Sequence, residues 1–137
     1  MKVRKFAGTK EDWQLLHDIC YGCGSDSVKN TYPYIRAAQY YSGSKFICDI
    51  FDEAGFFCGI RNATHVRVIA IAAMTEGQRK GFGRRMLHYE MKKASAAGIH
   101  ELTLRTSQKE QGVRFWLAAG AKFTGRKDTD WVMKIRF

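Results

Sequence analysis

The sequence predicts a mixed α/β protein: one domain over residues 1–137, with a central sheet of six to seven strands flanked by about four helices. Three observations predict it. Seven short runs read as strands by alternation or by β-branched and aromatic content, and four intervals between them carry helical spacing of apolar residues. Residues 65–105 read as strand, helix and strand with the length of a right-handed crossover, so its two strands should lie parallel. At 137 residues and 45% hydrophobic content, the chain can bury a core without cross-links and is not of the disordered class.

Residues 2–7 form a short first strand. Thr9 caps a helix from Lys10, in which Trp13, Leu16, Ile19 and Cys20 share one face. Residues 21–30, rich in Gly and Ser, read as a loop. Residues 31–41 (TYPYIRAAQYY) follow as a short helix or turn with Pro33 near its start, and Ser42-Gly43-Ser44 breaks the chain. Residues 45–60 form a hairpin around Asp52-Glu53-Ala54-Gly55. A second turn at 61–64 leads into the strand 65–73, which makes these three strands antiparallel neighbours.

A helix over 79–97 is closed by Gly98, a residue suited to C′. Its core face holds Phe82, Met86, Tyr89 or Glu90, Met91 and Ala94. Residues 101–105 alternate as a half-buried strand, and a helix over 109–119 stops at Gly120. Strands over 121–125 and 131–137, joined by a turn at 126–130, complete the chain. In the last strand Trp131, Met133, Ile135 and Phe137 share a face.

Lys and Arg number 23 against 13 Asp and Glu, a net charge of +10 that favours anionic partners: nucleotide cofactors, nucleic acid or acidic proteins. No reading helix or stacking motif supports nucleic acid, which is therefore not the expected partner. No apolar run approaches the ~18 residues of a membrane span. The start, MKVRKFAGTKEDW, lacks the apolar segment of a signal peptide, and a cytoplasmic location is expected. Cys20 and Cys23 have a spacing that zinc and redox sites use, but Cys48 and Cys58 lie ten apart on separate strands. Reduced, partly buried thiols and no metal are the expectation.

The stretch richest in chemistry is 66–97, where an apolar strand (VRVIAIAA) meets a helix through Gln78-Arg79-Lys80-Gly81-Phe82-Gly83. Two glycines let a ligand approach the backbone closely, and the first amides of a helix, at the positive end of its dipole, suit a phosphate. A Rossmann fingerprint would need glycine at Met86, and no window fits the Walker A spacing. What remains is Gln-x-x-Gly-x-Gly, after a strand and opening a helix.

In that setting the turn resembles the signature of the GNAT N-acetyltransferase superfamily, Gln/Arg-x-x-Gly-x-Gly/Ala. The element order resembles the GNAT fold, and residues 110–123 (EQGVRFWLAAGAKF) look like the family's later helix and its glycine. The resemblance implies acetyl-CoA as acetyl donor and direct attack by a primary amine of a small molecule or protein, in a monomer or homodimer. It implies that Gln78, Arg79, Lys80, Gly81, Phe82, Gly83 and Arg84 hold the pyrophosphate. It also implies that the fourth and fifth strands splay, so that Ile71 and Ala73 present backbone groups to the pantetheine arm and the thioester carbonyl.

Two positions depart from the family pattern. The usual strand glutamate falls on Arg67, which stays charged; His65, on the same strand face, is the substitute base. The usual tyrosine acid falls on Trp116, which can donate a hydrogen bond but not act as an acid, leaving Ser107 or Thr106 to orient a water. Segments 21–44 and 125–130 should wall the acceptor site, with Tyr32, Tyr34, Tyr40 and Tyr41 as an aromatic pocket. Asp26, Asp128 and Asp130 are the acids there, so a polyamine is not favoured. The missing acid and base also fit a non-catalytic domain that binds CoA or a protein.

Overall fold

The computed structural model describes residues 1–75, 81–107 and 110–137. Strands β1 (Val3–Lys5), β2 (Phe46–Phe51), β3 (Gly55–Arg61) and β4 (Val66–Ala73) are successive antiparallel neighbours. β4 lies parallel to β5 (Glu101–Ser107), as the crossover length requires. β5 pairs antiparallel with β7 (Asp130–Arg136), and β7 with the edge strand β6 (Lys122–Lys127). The seven-stranded order is β1-β2-β3-β4-β5-β7-β6.

Helices cover both faces. On one, α1 (Lys10–Gly22) and α2 (Asp26–Ser42) bury Leu16, Ile19, Cys20 and Ile35 against Ile50, Phe56, Cys58 and Ala70. On the other, α3 (Phe82–Ala96) and α4 (Glu110–Ala118) bury Phe82, Met86, Leu87 and Trp116 against Phe51, Phe57, Val68, Leu102, Leu104 and Met133. Period-two alternation produces this split: Cys48 and Ile50 of β2 belong to the first core, Phe51 to the second. All four cysteines are free and buried. Among the described residues no group of three His, Cys, Asp or Glu could hold a metal, and no helix is long and apolar enough to cross a membrane.

Three segments differ from the sequence reading. α2 begins at Asp26, so the Gly- and Ser-rich stretch shrinks to a short link. The Ser25 side chain accepts from the Val28 amide and starts the helix early. Pro33 then sits inside α2, where it costs a backbone hydrogen bond; burial of Ile35 and Ala38 and edge contacts of Tyr32 with Trp13 and His17 offset that. α3 starts at Phe82 after Gly81 in the left-handed region (φ +81°), and its buried face includes Leu87 while Tyr89 stays exposed. The β6–β7 connection is tighter than expected, with Asp128 at φ +57°.

A buried ionic group ties α3 to β2. Lys93 Nζ lies 2.6 Å from Asp49 Oδ2 and 3.6 Å from Glu90 Oε1, and both carboxyls are buried. Glu90 Oε2 has no hydrogen-bond partner. Burial, reinforced by the neighbouring Asp49, pushes the Glu90 carboxyl up to about 9.

Candidate functional site

β4 and β5 pair only at Val66↔Leu102 and Arg67↔Thr103. Beyond Val68 the strands diverge and the sheet opens into a cleft of about 540 Å³. Its walls are β4 from Val68 to Ala73, Leu104, Arg105 and Thr106 of β5, Gly83 and Met86 of α3, Gly112, Phe115 and Trp116 of α4, and the α1–α2 link through Thr31. Elements from both faces line it, so the cleft connects the two sides of the sheet.

A bulge lies in β4 within the cleft wall. Ala70 faces Cys58 and Val68 faces Gly59, leaving Ile69 as the extra residue. The Met74 amide donates to Ala54 O toward β3 (2.8 Å). Amides alternate sides along a strand, so those of Ala73 and Ile71 point away from β3, toward the opening. Side chains shift phase as well: Val66 and Val68 join the α3–α4 core, whereas Ala70 and Ala72 join the α1–α2 core.

One end of the cleft is the start of α3. The Arg85 amide donates to Gly81 O, which makes this the first helical bond and leaves the amides of Phe82, Gly83 and Arg84 without intrahelical acceptors. Gly83 lines the cleft, and a Cβ there would stand 3.3 Å from Phe115 Cε1. The Phe82 side chain turns into the core, so its backbone alone faces a ligand. Arg84 is exposed, and Gln78, Arg79 and Lys80 lie outside the described residues.

Other expected residues fall in different places. Ile71, Ala73 and Trp116 line the cleft. His65 does not: it precedes β4 at the end where the strands still pair, about 20 Å along the strand from Ile71. Its ring nitrogens contact Asn62 (3.2 Å) and Thr64 (3.1 Å) in the β3–β4 turn, and it is not among the residues that line the cleft. The Ser107 side chain lies outside those described; the neighbouring Thr106 is buried on the cleft wall.

The tyrosines also fall elsewhere. Tyr32 donates to Trp13 O between α1 and α2, Tyr34 accepts from Arg67 Nη1, and Tyr40 stands 77% exposed against Tyr41. None of the three is among the residues that line the cleft, where α2 contributes Asp26, Ser27, Val28 and Thr31. The α2 wall is instead Cys23, Gly24, Ser25, Asp26, Ser27, Val28 and Thr31. Its sequence signal was the Ser-Asp-Ser cap, visible as helix-starting chemistry but silent about the cleft.

No known family profile and no curated relative matches the sequence. Solved structures do match in shape. The PaiA N-acetyltransferase from Thermoplasma acidophilum, in complex with coenzyme A, superposes with a TM-score of 0.77 at 17% identity, over 100% of each chain. An aminoglycoside 6′-N-acetyltransferase complexed with coenzyme A gives 0.73 at 15%, over 99% of this chain and 97% of that one. The ribosomal-protein-S18-alanine N-acetyltransferase from Escherichia coli gives 0.73 at 14%, over 98% and 92%.

Proposed function

From the GNAT N-acetyltransferase fold that this chain has, we propose that it is an acetyl-CoA-dependent N-acetyltransferase acting on a primary amine. The observation that carries the reading is the cleft between the splayed β4 and β5, which opens at the first amides of α3. The residues present fit the donor. The part of β4 beyond its pairing with β5 suits an extended amide-bearing arm, Gly83 gives close access to the helix start, and Trp116 and Phe115 supply apolar walls. Arg84, together with Arg79 and Lys80 of the sequence motif, adds positive charge for phosphate groups.

The donor supplies an activated thioester when bound. The protein's own part is positional and electrostatic. The amides of Ile71 and Ala73 are directed where an oxyanion develops when an amine attacks a thioester carbonyl. Passage through the sheet lets the amine arrive from the α1–α2 side while the donor enters beside α3 and α4. No His or Glu lines the cleft among the described residues, so the amine's proton and the departing thiolate exchange with solvent. Four free, buried thiols suit a cytoplasmic setting, which the reading adopts, in a monomer or homodimer.

A CoA-binding domain without transferase activity is the second reading, favoured by Trp116 and by the absence of His and Glu from the described cleft lining. Calorimetry and thiol release test both. Acetyl-CoA is expected to bind, and Gly83→Glu to lower its affinity at least tenfold by placing bulk and negative charge at the α3 start. No heat and no thermal shift at millimolar acetyl-CoA overturns the transferase reading; binding without thiol release on any amine favours the second.

A further inference from the structure

We infer that Asp26 anchors the acceptor, and that the acceptor is a monocationic primary amine carrying no anionic group beside its ammonium; this rests on the transferase reading above. Of the described residues lining the cleft, two are charged, Asp26 and Arg105. Arg105 is already compensated: its Nη2 lies 3.1 Å from Asp130 Oδ2 and 3.4 Å from Asp128 Oδ2, and donates to Lys127 O. Asp26 has no ion pair or hydrogen-bond partner for its carboxylate among the described residues. The hydroxyls beside it are occupied, with Ser25 Oγ accepting from the Val28 amide and Thr31 Oγ1 donating to Ser27 O at 2.7 Å.

Among the described residues that line the cleft, Asp26, exposed in the first turn of α2, is thus the charged side chain without a side-chain partner, and its charge is negative in a chain of net +10. It sits on the α1–α2 side, the side from which an acceptor reaches the thioester. An ammonium is attracted there and forms a charge-assisted hydrogen bond. A neighbouring carboxylate on the acceptor meets no free cation among the described lining residues, because Arg105 is held by its own acids. A polycation has one anchor and is repelled by the rest of the surface. The shared chemistry is an ammonium on a small amine or on a protein lysine.

The test measures acetyl-CoA turnover with phenethylamine, glycinamide, a neutral lysine-containing pentapeptide, glycine, spermidine and aniline, which is uncharged at pH 7.5. The first two, and the pentapeptide if the site takes protein, should be acetylated in preference to glycine and spermidine. Asp26→Asn should raise KM for phenethylamine about tenfold, the loss of one hydrogen bond to a charged group, with the acetyl-CoA affinity and the aniline KM shifting less than threefold. Asp26→Glu should recover part of the loss. Equal effects on phenethylamine and aniline, no effect on either, or preference for glycine or spermidine overturns the inference. So does absence of turnover on every monocation by protein that binds acetyl-CoA. Failure to bind acetyl-CoA falls instead on the transferase reading, and takes the anchor with it.

Discussion

Glu90→Gln should change how stability depends on pH. In the folded chain the Glu90 carboxyl is raised to about 9 from its ordinary 4.5, so between those values the native state holds a proton that the unfolded chain has lost. Stability from this group is present at low pH and declines as pH rises through that window. The slope for one proton is about 1.4 kcal/mol per pH unit. Over three units, from pH 5.5 to 8.5, Glu90 thus removes up to about 4 kcal/mol. Glutamine keeps a donor toward Asp49 and no longer titrates, while Lys93 Nζ remains 2.6 Å from Asp49 Oδ2. Urea unfolding followed by tryptophan fluorescence at half-unit pH steps is the assay. The wild type should lose stability across the window relative to the variant, so that the two curves diverge toward pH 8.5. Parallel curves would refute the buried-proton argument.

Two further outcomes follow from the geometry of β4. Gly59→Ala should destabilise by about 1–3 kcal/mol, as backbone strain in a packed core does, because its Cβ would stand 2.7 Å from Arg67 O, which cannot swing away; an unchanged urea midpoint contradicts the register at the bulge. His65→Ala should leave the pH–rate profile of acetyl transfer unaltered, since its ring is engaged in the β3–β4 turn. Loss of the acid limb would return His65 to the chemistry.

The element order, the parallel crossover and the turn before α3 were legible because each is a local pattern: alternation, helical spacing and glycines at a junction. Trp131, Met133, Ile135 and Phe137 show this well, with Met133 and Ile135 buried and the other two packed against the same core. The strand bulge was not legible, because it is a mismatch of count between two strands distant in sequence. His65 and Arg67 share a strand face, but the cleft lining on β4 begins only at Val68. The tyrosines misled for a related reason. They lie in a segment expected to wall the acceptor site, but ring direction depends on how α2 lies against α1, and Tyr32 turns inward to Trp13 while Tyr40 turns out.

Ile69 divides β4 into two stretches that answer to different demands. Val66 packs in the α3–α4 core where β4 is paired on both sides, and substitutions there act on folding. Ala70, Ile71, Ala72 and Ala73 line the cleft, and substitutions there act on what the cleft admits. One inserted residue thus lets a single strand of eight change its ligand-facing half while its structural half is held constant.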